Sequence, residues 1–428
     1  MTSVKFGDFF MIPADTAETQ ILDLVVPLDS RRDCETVALL EASGRIFSES
    51  VVSPLDFPHW DNSAMDGYAV RYEDVSAAAA STPVELTVVE EIPAGKSPTQ
   101  ALMPGQCARI LTGAMVPTGA DTIVMQENTQ RTGDRVQILS APAPRAFVRQ
   151  QGAFTQVGDR LLSVGNLVAA PEVAVLAAAQ RSAVQVYRRP RIAILSTGNE
   201  LAPPEATLQP GQIVDSNQFA LAALVQQLGA VPLCQGIVPD DPTKLQQAMA
   251  TAVAEADMVL SSGGVSVGDY DYVDQILADL GATLHIRSVA VKPGKPLTVA
   301  TVAQGTLPRL YFGLPGNPVS ALVSFWRFVA PAIRKLSGRG GPWSAPFVTA
   351  RSRQPLKAGG KRETYLWGQL YATSAGLEFG LAQGSHSSGN LINITGTQGL
   401  AVVPIGVTEL DAGSTVRVLW MGHDLPTA

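Results

Sequence analysis

The sequence has little cysteine, and the three cysteines do not form a recognisable framework. Cys34, Cys107 and Cys234 are odd in number, far apart in the chain and set among apolar residues. This spacing indicates neither a set of disulfides nor a zinc knuckle. We therefore expect buried thiols in a reducing compartment.

Charge of either sign is also sparse. Thirty-one basic and 38 acidic residues give a net charge of −7, and charged residues make up only 16% of the 428 positions. A weakly acidic chain is not expected to bind nucleic acid or an anionic membrane over a broad surface. Any anion that it binds must be held locally by a few cations.

The sequence also lacks long hydrophobic runs and targeting signals. The first twenty residues carry acids early and have no uninterrupted apolar core, so they do not resemble a secretory signal. The most apolar stretch, 164–180, is interrupted by Asn166, Pro171 and Glu172 and is too short to span a bilayer. The sequence predicts a cytoplasmic protein.

Motifs for covalent catalysis are missing as well. The sequence has no evident Ser-His-Asp or Cys-His arrangement, and the phosphate loop GxxxxGK[ST] is absent. His59 has no second histidine at ligand spacing, which favours a packing or turn role. We therefore do not expect a covalent nucleophile.

What the sequence does contain is enough apolar residues, 46%, to bury several large cores. From residue 189, buried strands alternate with amphipathic helices, which predicts a doubly wound parallel sheet in an α/β multidomain protein. Short β-rich runs between Gly, Pro and Asn turns predict a mainly β insertion, whereas helical periodicity over 35–47 predicts a helix before it. The predicted domains are an elongated helical linking domain (1–50 and 140–188), an inserted β-rich domain (51–139), an α/β domain (189–338) and a C-terminal β barrel (339–428).

Polar loops follow successive strands of the predicted α/β domain. They are STGNEL at 196–201, SSGGVSVGDYD at 261–271, KPGKP at 292–296 and GLPGNPVS at 313–320, while Asp240 and Asp241 follow a further strand. The carboxyl ends of parallel strands meet at one edge of a sheet, where ligands bind. Each loop alone fits a structural role, and Asp271 fits a helix cap. Polar residues at all five strand ends together, among them acids and lysines, predict a metal-assisted site for an anionic substrate.

The predicted β domain contains a further signal in DFPHWDNSAMDGYAVR at 56–71. Asp61 and Asp66 bracket a turn of small residues, and Thr112 lies in a Thr-Gly-Ala turn after a strand. A plain turn-and-cap role for Thr112 and Asp121 is as well supported by the sequence as a functional one.

Six motifs together carry a resemblance to a known family. DNSAMDGYAV, RILTGAMVPTGAD, STGNEL, SGGVSVGDYD, KPGKP and GLPGNPVS, in this order and spacing, resemble the molybdopterin molybdenumtransferases, which are related to the gephyrin E domain. The resemblance covers nearly the whole chain. It implies a homodimer whose α/β domain binds adenylylated molybdopterin, with the β domain of the other subunit closing the cleft. It also implies a Mg²⁺-dependent transferase that inserts molybdate into molybdopterin and releases AMP.

The resemblance assigns roles to individual residues. The implied catalytic positions are Asp61, Thr112, Glu200, Asp241 or its neighbour Asp240, and Asp271. Of these, Glu200, Asp241 and Asp271 are implied as Mg²⁺ and adenylate ligands, whereas Asp61 and Thr112 are implied to act from the partner subunit. The implied substrate-binding positions are Thr197, Gly263, Gly264, Ser266, Lys292, Lys295, Pro296, Asn317, Ser320, Arg362, and Ser387 or Ser388, with Lys295, Ser320, Arg362 and the serine pair at the molybdate end.

Three positions depart from the family pattern. Asn199 stands where an acid is common, which removes one possible metal ligand. Ser288 stands where a lysine is usual, with Arg287 beside it, so that cation is shifted or lost. Trp367 stands where a second arginine is often found, which leaves the oxyanion contacts there unsupported.

Two other functions compete with this one. A non-catalytic scaffold of the same fold could cluster a membrane partner, but it need not keep Asp61, Glu200, Asp271 and both lysines together. The adenylyltransferase that precedes this step, itself a possible partner, is expected to be a short domain with a Gly-Gly-Thr-Gly loop, which this chain lacks. The remaining acids of the glycine-rich loop, Asp269 and Asp274, are expected to have capping and surface roles.

Overall fold

A computed structural model of the chain describes residues 11–263, 270–305 and 307–422, without the side chains of 270–272. The chain forms two compact units. The first comprises Met1–Glu49, Val164–Ala169 and Ala183–Ala428, and the second comprises Ser50–Ser163 and Ala170–Ser182. The predicted β-rich insertion lies within the second unit, while the boundaries of the four predicted domains stay a prediction.

The helices of the described ranges are short to medium in length. They are α1 (Ala14–Leu24), α2 (Tyr72–Val75), α3 (Ala170–Ala178), α4 (Asn217–Gln227), α5 (Pro242–Glu255), α6 (Tyr270–Asp279), α7 (Pro318–Ser324) and α8 (Ala330–Leu336). A π-helical turn, Phe325–Val329, joins α7 to α8, and 3₁₀ turns lie at Leu39–Ala42, Gln126–Asn128 and Leu391–Ile394. Among the described residues, no helix has the length and apolar character needed to cross a membrane.

The strands fall into three stretches of the chain. Those before residue 163 are β1 (Cys34–Ala38), β2 (Val51–Val52), β3 (Asn62–Ser63), β4 (Gly67–Val70), β5 (Val84–Ile92), β6 (Gln106–Ile110), β7 (Thr122–Met125), β8 (Thr129–Thr132), β9 (Arg135–Ile138), β10 (Val148–Arg149) and β11 (Arg160–Leu162). The middle stretch holds β12 (Ala183–Tyr187), β13 (Arg191–Thr197), β14 (Leu201–Ala202), β15 (Ile213–Val214), β16 (Val231–Val238), β17 (Met258–Ser262), β18 (Ala282–Ser288), β19 (Val291–Lys292), β20 (Pro296–Gln304) and β21 (Leu307–Leu314). The last stretch holds β22 (Phe347–Ser352), β23 (Leu356–Lys357), β24 (Glu363–Thr373), β25 (Gly376–Leu381), β26 (Gly399–Val403), β27 (Glu409–Leu410) and β28 (Thr415–Trp420).

The central sheet of the first unit has the strand order β16-β13-β17-β21-β20-β18. The first four strands are parallel, as predicted. The sheet departs from the prediction at β20, which is antiparallel to both of its neighbours, because it forms a hairpin with β21. Two reversals restore the direction, so β18 ends at the same edge as the parallel strands. The predicted convergence of the strand ends is therefore confirmed for the described loops.

Helices cover both faces of this sheet, which confirms the doubly wound arrangement. Leu221 of α4 and Val323 of α7 belong to one buried cluster, together with α1, α8 and part of the C-terminal sheet. Met249 of α5 and Ile276 of α6 belong to a second cluster that contacts the opposite face. The two apolar faces account for the near-continuous hydrophobic runs of the buried strands.

The C-terminal strands form the predicted β barrel. Successive pairings run β24-β25-β22-β28-β26, and β26 pairs again with β24, which closes a five-stranded barrel. The short strand β19 pairs in parallel with β24 on the outside of this circuit. Since β19 leads into the KPGKP turn, the barrel is joined by backbone hydrogen bonds to a loop of the α/β sheet.

The predicted helix over 35–47 is wrong. Cys34–Ala38 is strand β1, which pairs antiparallel with β12, and Leu39–Ala42 is a 3₁₀ turn. The β-branched pair Thr36 and Val37 suits a strand, and the partner strand supplies the backbone hydrogen bonds. Leu40, which the helical pattern placed on the apolar face, has 86% of its surface exposed.

The expectation of buried thiols holds for one cysteine. Cys107 is buried in the sheet of the second unit, and burial raises the pKa of its thiol to about 12. Cys34 is half-buried, whereas Cys234 is exposed. Cys234 lies on β16, and β16 is an edge strand of the central sheet, which explains the exposure.

The second unit is built on a mixed sheet with the order β7-β4-β6-β5-β9-β8. Its core includes Tyr68, Leu86 and Val136. Turns connect the strands, and β10 pairs with β3 beside the sheet. The mainly β character predicted for this part of the chain is confirmed.

Arg327 is the most deeply buried charge of the first unit, with none of its side chain exposed. Its guanidinium pairs with Asp15 and Glu18 of α1, and its Nε donates to the Tyr365 hydroxyl of β24 at 3.0 Å. It lies in the π-helical turn before Pro331. A proline at that position has no N–H for the Arg327 carbonyl and would clash with it in a regular helix, so the turn widens.

Arg327→Met is expected to destabilise the first unit by about 3–5 kcal/mol, because it leaves the buried Glu18 carboxylate without its cation. Thermal and urea unfolding followed by circular dichroism would measure the loss. The matched control is Arg353→Met, which breaks an exposed pair with Glu378 and should cost less than about 1 kcal/mol. Equal losses in the two variants would contradict a structural role for the Arg327 network.

Candidate functional site

The loops at the carboxyl ends of the central strands surround a cleft of about 680 Å³, here called the strand-end cleft. Its walls come from the ends of β13, β17 and β21 and from the first residues of α4 and α7. Of the residues predicted from the sequence, those that line it are Thr197, Glu200, Asp240, Gly263, Pro296, Asn317 and Ser320. Gly264 and Ser266 lie outside the described residues, as does the side chain of Asp271.

Hydroxyl groups form the floor of the strand-end cleft. Ser196, Thr197 and Ser262 are all almost fully buried at the ends of β13 and β17. Within the described structure, the Ser196 and Thr197 hydroxyls have no hydrogen-bond partner. A buried hydroxyl without a partner is costly, so these groups are suited to bind a polar ligand.

Asn217 ties three of the loops together and was not predicted from the sequence. Its side-chain amide donates to the Ser262 hydroxyl at 2.6 Å and to the Gly316 carbonyl at 2.9 Å. It is the first residue of α4 and follows the short strand β15. A polar residue at a helix start after a strand was the available signal, but only the fold shows which loops it reaches.

Glu200 folds back over the tight turn that precedes it. Gly198 has φ +151°, and a Cβ built there would lie 2.6 Å from the Glu200 Oε2 atom. No other residue type fits without moving the carboxylate. The glycine of STGNEL therefore fixes the position of Glu200 as well as the turn.

The structure gives different roles to Asp240 and Asp241, between which the sequence did not decide. Asp241 caps α5, since its carboxylate accepts the Lys244 N–H at 2.9 Å. Asp240 lines the cleft instead, and its Oδ2 accepts the Asn199 N–H at 3.1 Å. The Asn199 side chain returns the contact by accepting the Asp240 N–H at 3.2 Å. Asn199 stands where an acid is common in the family pattern. It adds no carboxylate of its own and instead positions the carboxylate of Asp240.

These carboxylates fit a hard divalent cation in part. Glu200 and Asp240 bring two carboxylates to the cleft, and Mg²⁺ is commonly held by one or two carboxylates with water and substrate oxygens. Among the described side chains, no group of three or more acidic, histidine or cysteine residues is arranged to hold a metal alone. The donor set therefore suits an ion shared with an anionic substrate.

A second cleft of about 540 Å³ adjoins the first and is here called the lysine cleft. The two clefts share Pro296, Asn317 and Ser320 in their walls. The lysine cleft contains the remaining predicted binding residues and several that were not predicted. Its polar side chains include Lys292, Lys295, Lys357, Arg362, Thr364, His386, Ser387 and Ser388.

Backbone contacts between the α/β sheet and the barrel shape the lysine cleft. Val291 and Lys292 of β19 pair with Glu363 and Thr364 of β24. On the other side, the Val319 N–H donates to the Ser388 carbonyl at 3.1 Å. Cations of one domain and serines of the other are thereby held around one space.

Two of the positions that depart from the family pattern, Ser288 with its neighbour Arg287 and Trp367, add no cation to the lysine cleft. Arg287, which neighbours Ser288, forms an ion pair with Asp274, and both side chains are mostly buried. This pair also corrects the surface role expected for Asp274. Trp367 is fully buried, and its indole contacts the His386 ring at a tilt of 39°, with 4.3 Å between the ring centroids.

Apart from Lys357, whose Nζ lies 3.8 Å from Glu409, the predicted charged residues of the two clefts form no ion pair with another described residue. Ion pairs are common elsewhere, as between Arg188 and Asp257. Among the described residues, none of the pairs includes Glu200, Asp240, Lys292, Lys295 or Arg362. Unpaired charges of both signs in adjoining clefts are typical of sites whose ligand supplies the missing partner.

Thr112 of the second unit is held by Asp66. Both its N–H and its hydroxyl donate to Asp66 Oδ1 at 2.7 Å, which lowers the pKa of that carboxyl. Asp61 is exposed and accepts the Gln151 N–H at 2.7 Å. The acids that bracket the small-residue turn thus have different contacts, and Asp66 is the one joined to Thr112.

Two structural roles expected in the second unit are present. Asp121 accepts the N–H of Tyr72 at 2.8 Å at the start of α2, as a cap. His59 Nδ1 donates to the Asp56 carbonyl at 2.6 Å, and its ring lies between Phe57 and Trp60. Neither residue needs a catalytic role to explain its position.

Three family models match successive parts of the chain. Residues 12–179 match the MoeA N-terminal region (domain I and II), residues 193–335 match the probable molybdopterin binding domain, and residues 349–420 match the MoeA C-terminal region (domain IV). Together these models cover both clefts and most of the described structure.

Relatives match over nearly the full length. The molybdopterin molybdenumtransferase of a Nostoc species is 58% identical over 405 residues, which are 95% of this chain and 92% of the relative. Molybdopterin molybdenumtransferase 2 of Mycobacterium tuberculosis is 37% identical over 90% of this chain and 94% of its own. The crystal structure of the molybdopterin biosynthesis moeA protein from Pyrococcus horikoshii superposes with a TM-score of 0.81 at 28% identity, covering 96% of this chain and 100% of that one. The chain therefore belongs to the molybdopterin molybdenumtransferase family.

Proposed function

We propose that the protein transfers molybdenum from molybdate to adenylylated molybdopterin and releases AMP, to give molybdenum cofactor. The observation that carries this proposal is the pair of adjoining clefts with a shared wall of Pro296, Asn317 and Ser320. One cleft offers hydroxyls and carboxylates, and the other offers cations. A substrate whose two reacting parts are an adenylate and an oxyanion needs both environments side by side.

The strand-end cleft binds the adenylylated substrate in this proposal. The Ser196 and Thr197 hydroxyls, which have no hydrogen-bond partner among the described residues, and the first residues of α4 and α7 would face polar groups of the ligand. Helix starts carry partial positive charge and unpaired N–H groups, which suits phosphate oxygens. Gly263 belongs to the same wall, whereas the binding roles of Gly264 and Ser266, outside the described residues, stay predictions from the sequence.

Mg²⁺ is proposed to bind at the same end. Glu200 and Asp240 would hold the ion, with Asp271 as the further sequence-derived ligand, while Asp241 is occupied as a helix cap. The ion would neutralise charge on the phosphate link that breaks. Glu200 and Asp240 also orient that link, because each is fixed by its own turn.

The lysine cleft holds molybdate in this proposal. Lys292, Lys295 and Arg362 supply positive charge, and Ser320 with Ser387 or Ser388 supplies hydroxyl donors. Lys357 contributes less, since its Nζ lies 3.8 Å from Glu409, whose carboxylate offsets part of its charge. Cations and hydroxyls on several sides suit a tetrahedral oxyanion.

A homodimer is the proposed working form. The support lies in the stretch 208–219, where Leu208, Ile213, Val214 and Phe219 expose 39–56% of their surfaces. Large apolar side chains exposed close together favour a protein contact. Asp61 and Thr112 acting from the second copy, the adenylyltransferase as a partner, and the cytoplasmic location stay predictions from the sequence.

Activity is tested with purified protein, adenylylated molybdopterin, molybdate and Mg²⁺, by measuring AMP release and cofactor formation. Glu200→Gln should slow AMP release without changing the dissociation constant for molybdate, because it removes charge at the adenylate end only. Lys295→Ala should weaken molybdate binding by about tenfold to a hundredfold, as expected for one charge-assisted hydrogen bond. Lys96→Ala, an exposed lysine of the second unit, is the control.

The competing scaffold function predicts a different pattern. The wild-type protein would then bind the adenylylated substrate, release no AMP with molybdate and Mg²⁺, and respond to neither substitution. That result would overturn the proposed activity.

The position of Glu200 is tested through Gly198→Ala. The added Cβ would displace the Glu200 carboxylate, so AMP release should fall as far as it does in Glu200→Gln. Gly211→Ala is the matched control, because Gly211 also has a positive φ, +89°, but no atom lies within 4 Å of the place that a Cβ would take there. The control should lose about 1 kcal/mol of stability at most and keep its activity. Equal activity losses in both variants would refute the positioning role.

The dimer is tested with Phe219→Asp. The wild-type mass measured by light scattering should be twice the 45.0 kDa of one chain, and the variant should be monomeric because a charge is costly in an apolar interface. Leu40→Asp changes a residue that is 86% exposed outside this stretch and should leave the dimer intact. A dimer that persists in Phe219→Asp would place the interface elsewhere.

A further inference from the structure

His386 is a titratable residue of the lysine cleft to which the proposed function gives no role. Its Nε2–H donates to the Ala382 carbonyl at 2.9 Å, which places the proton of the neutral ring on Nε2. Nδ1 is therefore a bare acceptor. In the described structure it is buried and has no hydrogen-bond partner.

The surroundings of this ring favour its neutral form. Burial lowers the pKa of His386 below its ordinary value. The charged side chains that line the same cleft are all cations, namely Lys292, Lys295, Lys357 and Arg362. The nearby acids are engaged elsewhere, Glu363 with the Tyr365 hydroxyl and Glu409 with Lys357.

A bound dianion would reverse this balance. Its negative charge would favour the imidazolium form by direct attraction, and the cations around it would already be partly neutralised. The Trp367 indole, whose ring centroid lies 4.3 Å from that of the imidazole at a tilt of 39°, would stabilise the imidazolium by a cation–π contact. The same ring would then supply a fifth positive charge to the cleft.

We propose that His386 is a proton-linked member of the oxyanion site, and that its Nδ1 takes up one proton from solvent when a dianionic oxyanion binds in the lysine cleft. This inference rests on the proposed function, because it requires an oxyanion at that cleft. The linkage has a definite sign. Binding that takes up a proton strengthens as the pH falls from 8 towards 6, by at most tenfold per pH unit for one proton.

Isothermal titration calorimetry of the full-length protein tests the linkage, with molybdate and with sulfate as probes. Sulfate takes up no proton between pH 6 and 8, so any proton uptake on its binding belongs to the protein. Titrations in two buffers of different ionisation enthalpy give the number of protons taken up. The wild-type protein should take up a fraction of one proton and bind severalfold more tightly at pH 6 than at pH 8.

His386→Gln is the informative variant, because the glutamine amide can keep the hydrogen bond to the Ala382 carbonyl while Nδ1 is removed. It should bind with no proton uptake and with an affinity that is nearly independent of pH. His285→Gln is the matched control. His285 is also half-buried, and its Nε2 contacts the Thr301 hydroxyl at 2.8 Å, on β18 and away from the cleft lining. That variant should behave as the wild type.

The outcomes separate this inference from the function on which it rests. Oxyanion binding by the wild type without proton uptake, or with the same uptake in His386→Gln, overturns the role of His386 and leaves the proposed function intact. No oxyanion binding by the wild type overturns both. If His386→Gln fails to fold, the His386 ring signal in wild-type NMR spectra serves instead, and its pKa must rise when sulfate is added.

Discussion

The pairing of β19 with β24 is the contact on which the lysine cleft depends. Two residues, Val291 and Lys292, add a parallel strand to the outside of the barrel, and the Arg362 guanidinium donates to the Val291 carbonyl at 3.3 Å. The KPGKP turn follows at once. Its shape is enforced by close packing, since a Cβ on Gly294 would lie 2.9 Å from the Ser324 hydroxyl of α7. Barrel, turn and helix therefore hold one another in place around the cleft.

The direction of the strands explains how much of the site the sequence could predict. Buried strands followed by polar loops indicate a common edge, and the strands that end at Thr197, Ser262, Ser288 and Leu314 do end there. The antiparallel strand β20 escaped prediction, because an apolar run has no direction of its own. It does not change which loops meet at the edge, since β18 before it and β21 after it run in the same direction and both end there.

Local sequence patterns could not predict contacts between distant parts of the chain. Arg362, Ser387 and Ser388 entered only through the family resemblance, since no periodicity places a barrel loop beside the KPGKP turn. The choice between Asp240 and Asp241 depended on which carboxylate caps α5, and two adjacent acids before a helix satisfy the same rule. The helix expected over 35–47 failed for a related reason. A partner strand about 150 residues away decided the conformation, as the pairing of Cys34–Ala38 with Ala183–Tyr187 requires.

The separation of charge across the shared wall explains why the site needs its ligands. Glu200 and Asp240 lie on one side of Asn317 and Ser320, whereas Lys292 and Lys295 lie on the other. Had acids and lysines been in contact, they would have neutralised one another, as Arg327 and Glu18 do in the core. Kept apart, each set repels its own members, and that repulsion weakens when a charge of opposite sign arrives. In the proposed function, a divalent cation would offset the charge of the acids and an oxyanion would offset that of the lysines, so the shared wall would keep the two kinds of ion in adjoining spaces.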